Sequence, residues 1–180
     1  MRASSSWLLF AYQVPASPST HRAYAWRKLK AIGAVYVQNS ICILPSRAPL
    51  EEKLFHLREE ITARGGEVKL LHVDLRDPEE KAEIVSRFEH QMEDEYGEFI
   101  EQCEKLHAEL AKERDRKHLT FSELEENDED LAKLRLWLPK LYSRDFFKIN
   151  MHGKAAKALE SCEKDLKLFE SEVEAASGAR

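Results

Sequence analysis

From Ile84 to Leu110, apolar side chains recur at Ile84, Phe88, Met92, Tyr96, Phe99, Cys103, Leu106 and Leu110, always three or four residues apart. That spacing follows the 3.6-residue turn of an α-helix and puts all eight on one face. A strand, which alternates every second residue, does not accommodate it. The pattern starts after Asp77-Pro78 and carries from Glu79 to about Arg116, a rod of roughly 55 Å at ~1.5 Å per residue. Such a rod is not stable alone in water and needs other helices over its apolar stripe. Two candidates follow. Leu124, Leu131, Leu134, Leu138 and Leu141 mark one, with Thr120 or Ser122 as its cap and Glu125 three residues beyond Ser122, as in a capping box. Pro139 is expected to kink or end this helix. Ala155, Leu159, Cys162, Leu166, Phe169 and Val173 mark the other, with Gly178-Ala179-Arg180 as a frayed tail.

The front of the chain has a different texture. Trp7 to Val14 is a continuous apolar run closed by Pro15 and Ser17-Pro18-Ser19, which reads as a buried strand leading into a helix. Ser19 or Thr20 is expected to cap that helix, whose apolar positions are Tyr24, Ala25, Leu29 and Ile32. Gly33 stops it. Val35-Tyr36-Val37 and Ile41-Cys42-Ile43-Leu44 flank Gln38-Asn39-Ser40 as a hairpin. A helix from about Leu50 to Arg64, the Gly65-Gly66 stop and a strand over 68–73 complete the order β-α-β-β-α-β. The expected fold is therefore α+β: a ferredoxin-like β-α-β-β-α-β domain over 1–76, then a helical extension over 77–180 made of the long helix and a helical hairpin.

Charge divides the chain the same way. Residues 1–50 contain no Asp or Glu, yet hold Arg2, Arg22, Arg27, Lys28, Lys30 and Arg47. Up to residue 75 there are ten basic and six acidic side chains, and beyond it 18 against 27, which together give the net −5. A basic front attracts an anionic partner. Arg2, the apolar Trp7–Tyr12 stretch and Ala16 imitate a secretory leader, but the apolar part is short and a basic segment follows. No apolar run reaches the roughly 20 residues of a spanning helix. Cys42, Cys103 and Cys162 lie about sixty residues apart, with no CxxC pattern and no even disulfide set. A reducing cytoplasm and no membrane partner are the expectation.

Arg22, Arg27, Lys28, Lys30 and Arg47 are the candidate binding residues, suited to backbone phosphates or to an oxyanion; a solvated helix exterior is the competing reading. Trp7 and Trp26 can stack on bases, but their large apolar area assigns both to the core. Cys103 and His107 are four apart on one helix face and can in principle share a metal, although no third ligand is evident. The acidic run Glu123, Glu125, Glu126, Asp128, Glu129 and Asp130 points in several directions and reads as solvated charge. Arg144-Asp145 reads as an inter-helix ion pair. GxSxG, Walker and GxGxxG patterns are missing from the sequence. The expectation is no catalytic residue, no metal, no cofactor and no enzyme.

Several separated blocks, in order, resemble one family. Ser6-Trp7-Leu8-Leu9-Phe10-Ala11-Tyr12-Gln13-Val14-Pro15, Trp26-Arg27-Lys28-Leu29-Lys30, Gly33-Ala34-Val35, Ile41–Pro45, His118–Glu126, Leu138-Pro139-Lys140 and Ser143–Phe147 are similar to the N-terminal domain of the chromate resistance family ChrB. The resemblance implies chromate-responsive control of a chromate efflux operon. Full-length members carry a further C-terminal domain similar to a rhodanese fold, which these 180 residues do not include. If effector sensing needs that domain, the expectation is binding without a chromate response, or a response through a separate polypeptide. The sheet domain also looks like the central domain of PaaX-type repressors and like small CRISPR-associated nucleases. The nucleases hold a divalent metal with an Asp at the end of the first strand. Here that stretch is Tyr12-Gln13-Val14-Pro15, and the first acid is Glu51.

The expected function is a dimeric regulator that binds operator DNA, chromate or a related oxyanion through its basic front. The alternative is a non-enzymatic scaffold whose long helix and acidic rear dock a separate sensor protein. No recognition helix of the helix-turn-helix kind is evident.

Overall fold

Strand β1 (Ser6–Gln13) carries Trp7, Leu8 and Phe10, all at most 3% exposed. Because neighbouring strand residues face opposite ways, burial of both Trp7 and Leu8 demands cover on both sheet faces and a central position. The computed structural model, which describes residues 6–178, places it there. The sheet order is β2 (Val35–Gln38), β3 (Ile41–Pro45), β1, β4 (Glu67–Asp74), and each neighbouring pair is antiparallel. Helices α1 (Thr20–Ala31) and α2 (Ala48–Ala63) connect the strands. Leu8 is the register partner of His72, and His72 Nε2 reaches Glu51 of α2 at 2.9 Å. The Leu8 face is therefore the helix-covered one. On the opposite face Trp7 packs against Phe88, with ring centroids 6.0 Å apart.

The turns match their residues. Gly33 has φ +82°, a left-handed conformation that costs glycine little. Gly66 is required by space, since a Cβ there would lie 2.7 Å from the Gln13 carbonyl oxygen. The α1 cap departs from expectation. Ser19 occupies the N-cap with φ −60°, ψ −18° and makes no side-chain cap hydrogen bond, because a residue already helical cannot turn its hydroxyl back onto the first turn.

Helices α3 (Pro78–Asp115), α4 (Phe121–Arg144) and α5 (His152–Gly178) follow. The chain is thus mixed α/β, with a four-strand antiparallel sheet and five helices among the described residues. It forms two compact units, Met1–Phe88 and Glu89–Arg180, so the division falls within α3. In the second unit Tyr96, Phe99, Cys103 and Leu110 of α3 join Leu131 and Leu141 of α4 and Cys162, Phe169 and Val173 of α5 in one buried cluster. Thr120 caps α4, its Oγ1 accepting from the Glu123 amide at 3.3 Å.

Three further expectations change here. Pro139 does not end α4, and the helix runs on to Arg144. Leu138 and Leu141 are buried on either side of it, and their packing outweighs the lost bond. Arg144 and Asp145 do not pair with each other. Arg144 Nε donates to Glu95 Oε2 at 2.7 Å, while Asp145 accepts from the Tyr96 hydroxyl at 3.2 Å and from the Ile149 amide at 3.2 Å. Gly178 is still helical. Arg2 of the leader-like segment, and Ala179 and Arg180 of the tail, lie outside the described residues.

Candidate anion-binding face of the sheet unit

Helix α1 presents its cations on three sides. Ala25 and Leu29 are fully buried and define its inner face. At ~100° per residue, Arg22, Trp26 and Lys30 share one flank, Arg27 sits on the outer crest, and Lys28 turns to the opposite flank. There Lys28 Nζ lies 3.8 Å from Glu60 of α2 and 5.4 Å from the Tyr24 ring centroid. The Arg64 guanidinium covers the same ring at 4.0 Å. With both side chains 41–50% exposed, the Lys28–Glu60 pair adds little. Arg22 and Arg27 are exposed and Lys30 is half-buried. None of these three forms an ion pair among the described residues, whereas Lys28 does. Arg47 is exposed, and its carbonyl accepts the Leu50 and Glu51 amides at the start of α2.

Beside the Arg22 flank lies an open cleft of about 1290 Å³. Its walls are the end of β1 and the residue after it (Tyr12, Gln13, Val14), the N-cap and first turns of α1 (Ser19, Arg22, Ala23, Trp26), and the end of β2 with its turn into β3 (Tyr36 to Ser40). The Tyr12 amide donates to the Ser40 carbonyl at 2.9 Å, closing the turn onto β1. The Tyr12 and Tyr36 hydroxyls are 2.9 Å apart. Burial, then the Tyr12 bond, pushes the Tyr36 hydroxyl above the ordinary phenol range, so it stays protonated and serves as a hydrogen-bonding group, not a base. Burial likewise pushes the neighbouring Cys42 thiol up to about 12. No carboxylate lines the cleft among the described residues.

Trp26 corrects the expectation of a core indole: it is 48% exposed, against 3% for Trp7. Helix phase decides this, because Ala25 and Leu29 take the inward direction. Of the five sequence-derived cations, Arg22 joins this cleft; Arg27, Lys28, Lys30 and Arg47 do not line it among the described residues. Tyr12, Tyr36, Gln13, Gln38 and Asn39 escaped the sequence reading as a group. The available signal was the placement of Arg22 and Trp26 one helical turn apart in an acid-free stretch.

The other candidate chemistry resolves into packing. His107 Nδ1 lies 2.8 Å from Asp165 Oδ2 and therefore faces a carboxylate, while the Cys162 thiol donates to the Cys103 carbonyl at 3.4 Å. The side-chain bond to the Cys103 thiol, then burial, pushes the Cys162 thiol above its ordinary value. All three cysteines are buried. Among the described residues, no three of His, Cys, Asp and Glu converge as a metal site.

The family model described as "Protein ChrB, N-terminal" matches residues 22–179. The chain belongs to the ChrB N-terminal family. The matched span opens at Arg22 and takes in Arg27, Lys28, Lys30 and Arg47, while β1 precedes it. Protein ChrB of Cupriavidus metallidurans (strain CH34) is 31% identical over 96 residues, which is 53% of this chain and 29% of that protein. The match thus spans less than a third of that curated relative's length.

Proposed function

We propose that this chain is a non-enzymatic, regulator-like component of chromate resistance, acting in the cytoplasm as a homodimer that contacts operator DNA through the outer side of α1. Chromate or a related oxyanion is the effector in this reading. The observation that carries it is the acid-free front: no Asp or Glu before Glu51, with exposed Arg22 and Arg27 and half-buried Lys30 unpaired among the described residues. Cations left open in this way neutralise phosphates and release counterions. Family membership supports the chromate context. The strand order β2-β3-β1-β4, with both crossovers helical, supports reading the sheet unit as ferredoxin-like.

The experiment is a mobility-shift titration with the DNA upstream of the chain's own gene, with and without chromate. Replacing Arg27 and Lys30 by Ala should weaken binding to every duplex and flatten the salt slope by about 0.9 per lost phosphate contact. Unchanged affinity and slope would remove these two residues from the interface.

A second reading has its own observation. Phe121, Leu136 and Leu168 of the helical unit are each at least 60% exposed, on the acidic half of the sequence. A docking module for a separate sensor protein would use such side chains if they meet in one patch. It calls for a salt-insensitive protein complex and no duplex shift.

A further inference from the structure

The cleft beside α1 joins features that a backbone-phosphate contact alone does not use. Trp26 leaves half its surface in water although Ala25 and Leu29, on the same helix, are fully buried. An indole held in this way offers a flat apolar face to a flat ligand. Arg22 stands four residues earlier on the same flank, where side chains are neighbours, and it has no acidic partner among the described residues. The carboxamides of Gln13, Gln38 and Asn39 line the same cleft, and each carries both donors and acceptors. One cation, one exposed aromatic face, neutral amides and no lining carboxylate together describe a ligand that is planar at one end and anionic at the other.

We propose that this cleft binds an unpaired nucleotide of a nucleic-acid strand, with the base stacked on Trp26 and the phosphate on Arg22. An inorganic oxyanion fits less well, because the indole face gives it nothing. The volume of about 1290 Å³ exceeds the roughly 300–1,000 Å³ of clefts that hold one small molecule, so the cleft has room for more than a single nucleotide. A base within a duplex is stacked on both sides, and only an unpaired one can lie on Trp26. Amides accept any base edge, so binding is sequence-tolerant, as in single-strand platforms. The inference rests on the reading of the front of the chain as a polyanion contact, but not on duplex recognition.

The test uses the full chain and a fluorescein-labelled oligothymidylate, followed by anisotropy and by tryptophan quenching. A matched duplex, thymidine monophosphate and inorganic phosphate serve as comparison ligands. The single strand is expected to quench tryptophan emission, and thymidine monophosphate to displace it at lower concentration than phosphate. Trp26→Ala should weaken strand binding roughly five- to a hundred-fold, the loss that removal of one base–aromatic stack produces, and Trp26→Phe should recover part of it. Arg22→Ala should weaken strand binding while leaving Trp26 in place, which keeps the test decisive if Trp26→Ala unfolds. Strand affinity unchanged in both Ala variants, or phosphate competing as well as the nucleotide, overturns the inference. If the duplex shifts while the strand does not bind, the inference falls alone. If the strand binds and quenches while the upstream duplex does not shift, the regulator reading falls alone.

Discussion

Asp165 shows how one side chain in the helical unit is held. It accepts from Arg114 Nη1 at 2.7 Å and faces His107 Nδ1 at 2.8 Å, while Arg114 Nη2 donates to its carbonyl at 3.0 Å. Burial opposes its ionised form, but the His107 and Arg114 bonds and the nearby positive charge outweigh burial and hold its carboxyl below the ordinary value. A carboxyl depressed in the folded state contributes stability that is present above its unfolded value, about pH 4, and is lost as pH falls through the folded one. Urea midpoints should therefore drop below about pH 4. Asp165→Asn should lower stability at neutral pH by about 1–3 kcal/mol and flatten that acid limb; an unaltered limb would assign it to other carboxylates. At this scale the sequence was least informative. It named His107 as a possible ligand beside Cys103, since nothing in residue order brings Asp165 of α5 to α3. It also placed Trp26 in the core, since the burial rule for aromatics ignores helix phase.

Among the elements, α4 carries the most instructive departure. An interior proline costs a helix about 3 kcal/mol by removing a bond and crowding the preceding turn, yet α4 continues past Pro139 to Arg144. Leu134, Leu138 and Leu141 are each at most 5% exposed, so the buried stripe extends across the proline and holds both sides in register. Pro139→Ala restores the amide that the Arg135 carbonyl would bond. It should raise stability by up to about 3 kcal/mol, read as a higher thermal or urea midpoint. A midpoint that falls would show that the packing depends on the proline's geometry. The remaining elements were legible from local signals: the three-and-four spacing for α3, Gly33 and Gly65-Gly66 as stops, and short apolar runs closed by turn residues for the strands.

For the whole molecule, charge is segregated along the sequence, with an acid-free stretch up to Glu51 and an acidic remainder. Among the described residues Lys28 of the front pairs with Glu60 of α2, which belongs to the same unit. No helix among the described residues is long and apolar enough to cross a membrane. The proposed homodimer has a direct check: sedimentation equilibrium should give twice the chain mass, and a single-chain mass across the micromolar range would remove it. What the sequence determined by itself was the kind of each element and its order, because turn residues and apolar periodicity act within a few residues of one another. Only the tertiary structure decided that Arg22 and Trp26 face a cleft closed by the β2–β3 turn, that Lys28 turns away to Glu60, and that α4 survives its proline. Each of those outcomes depends on which surfaces meet after the chain has folded, and contacts between segments distant along the chain leave no local mark in it.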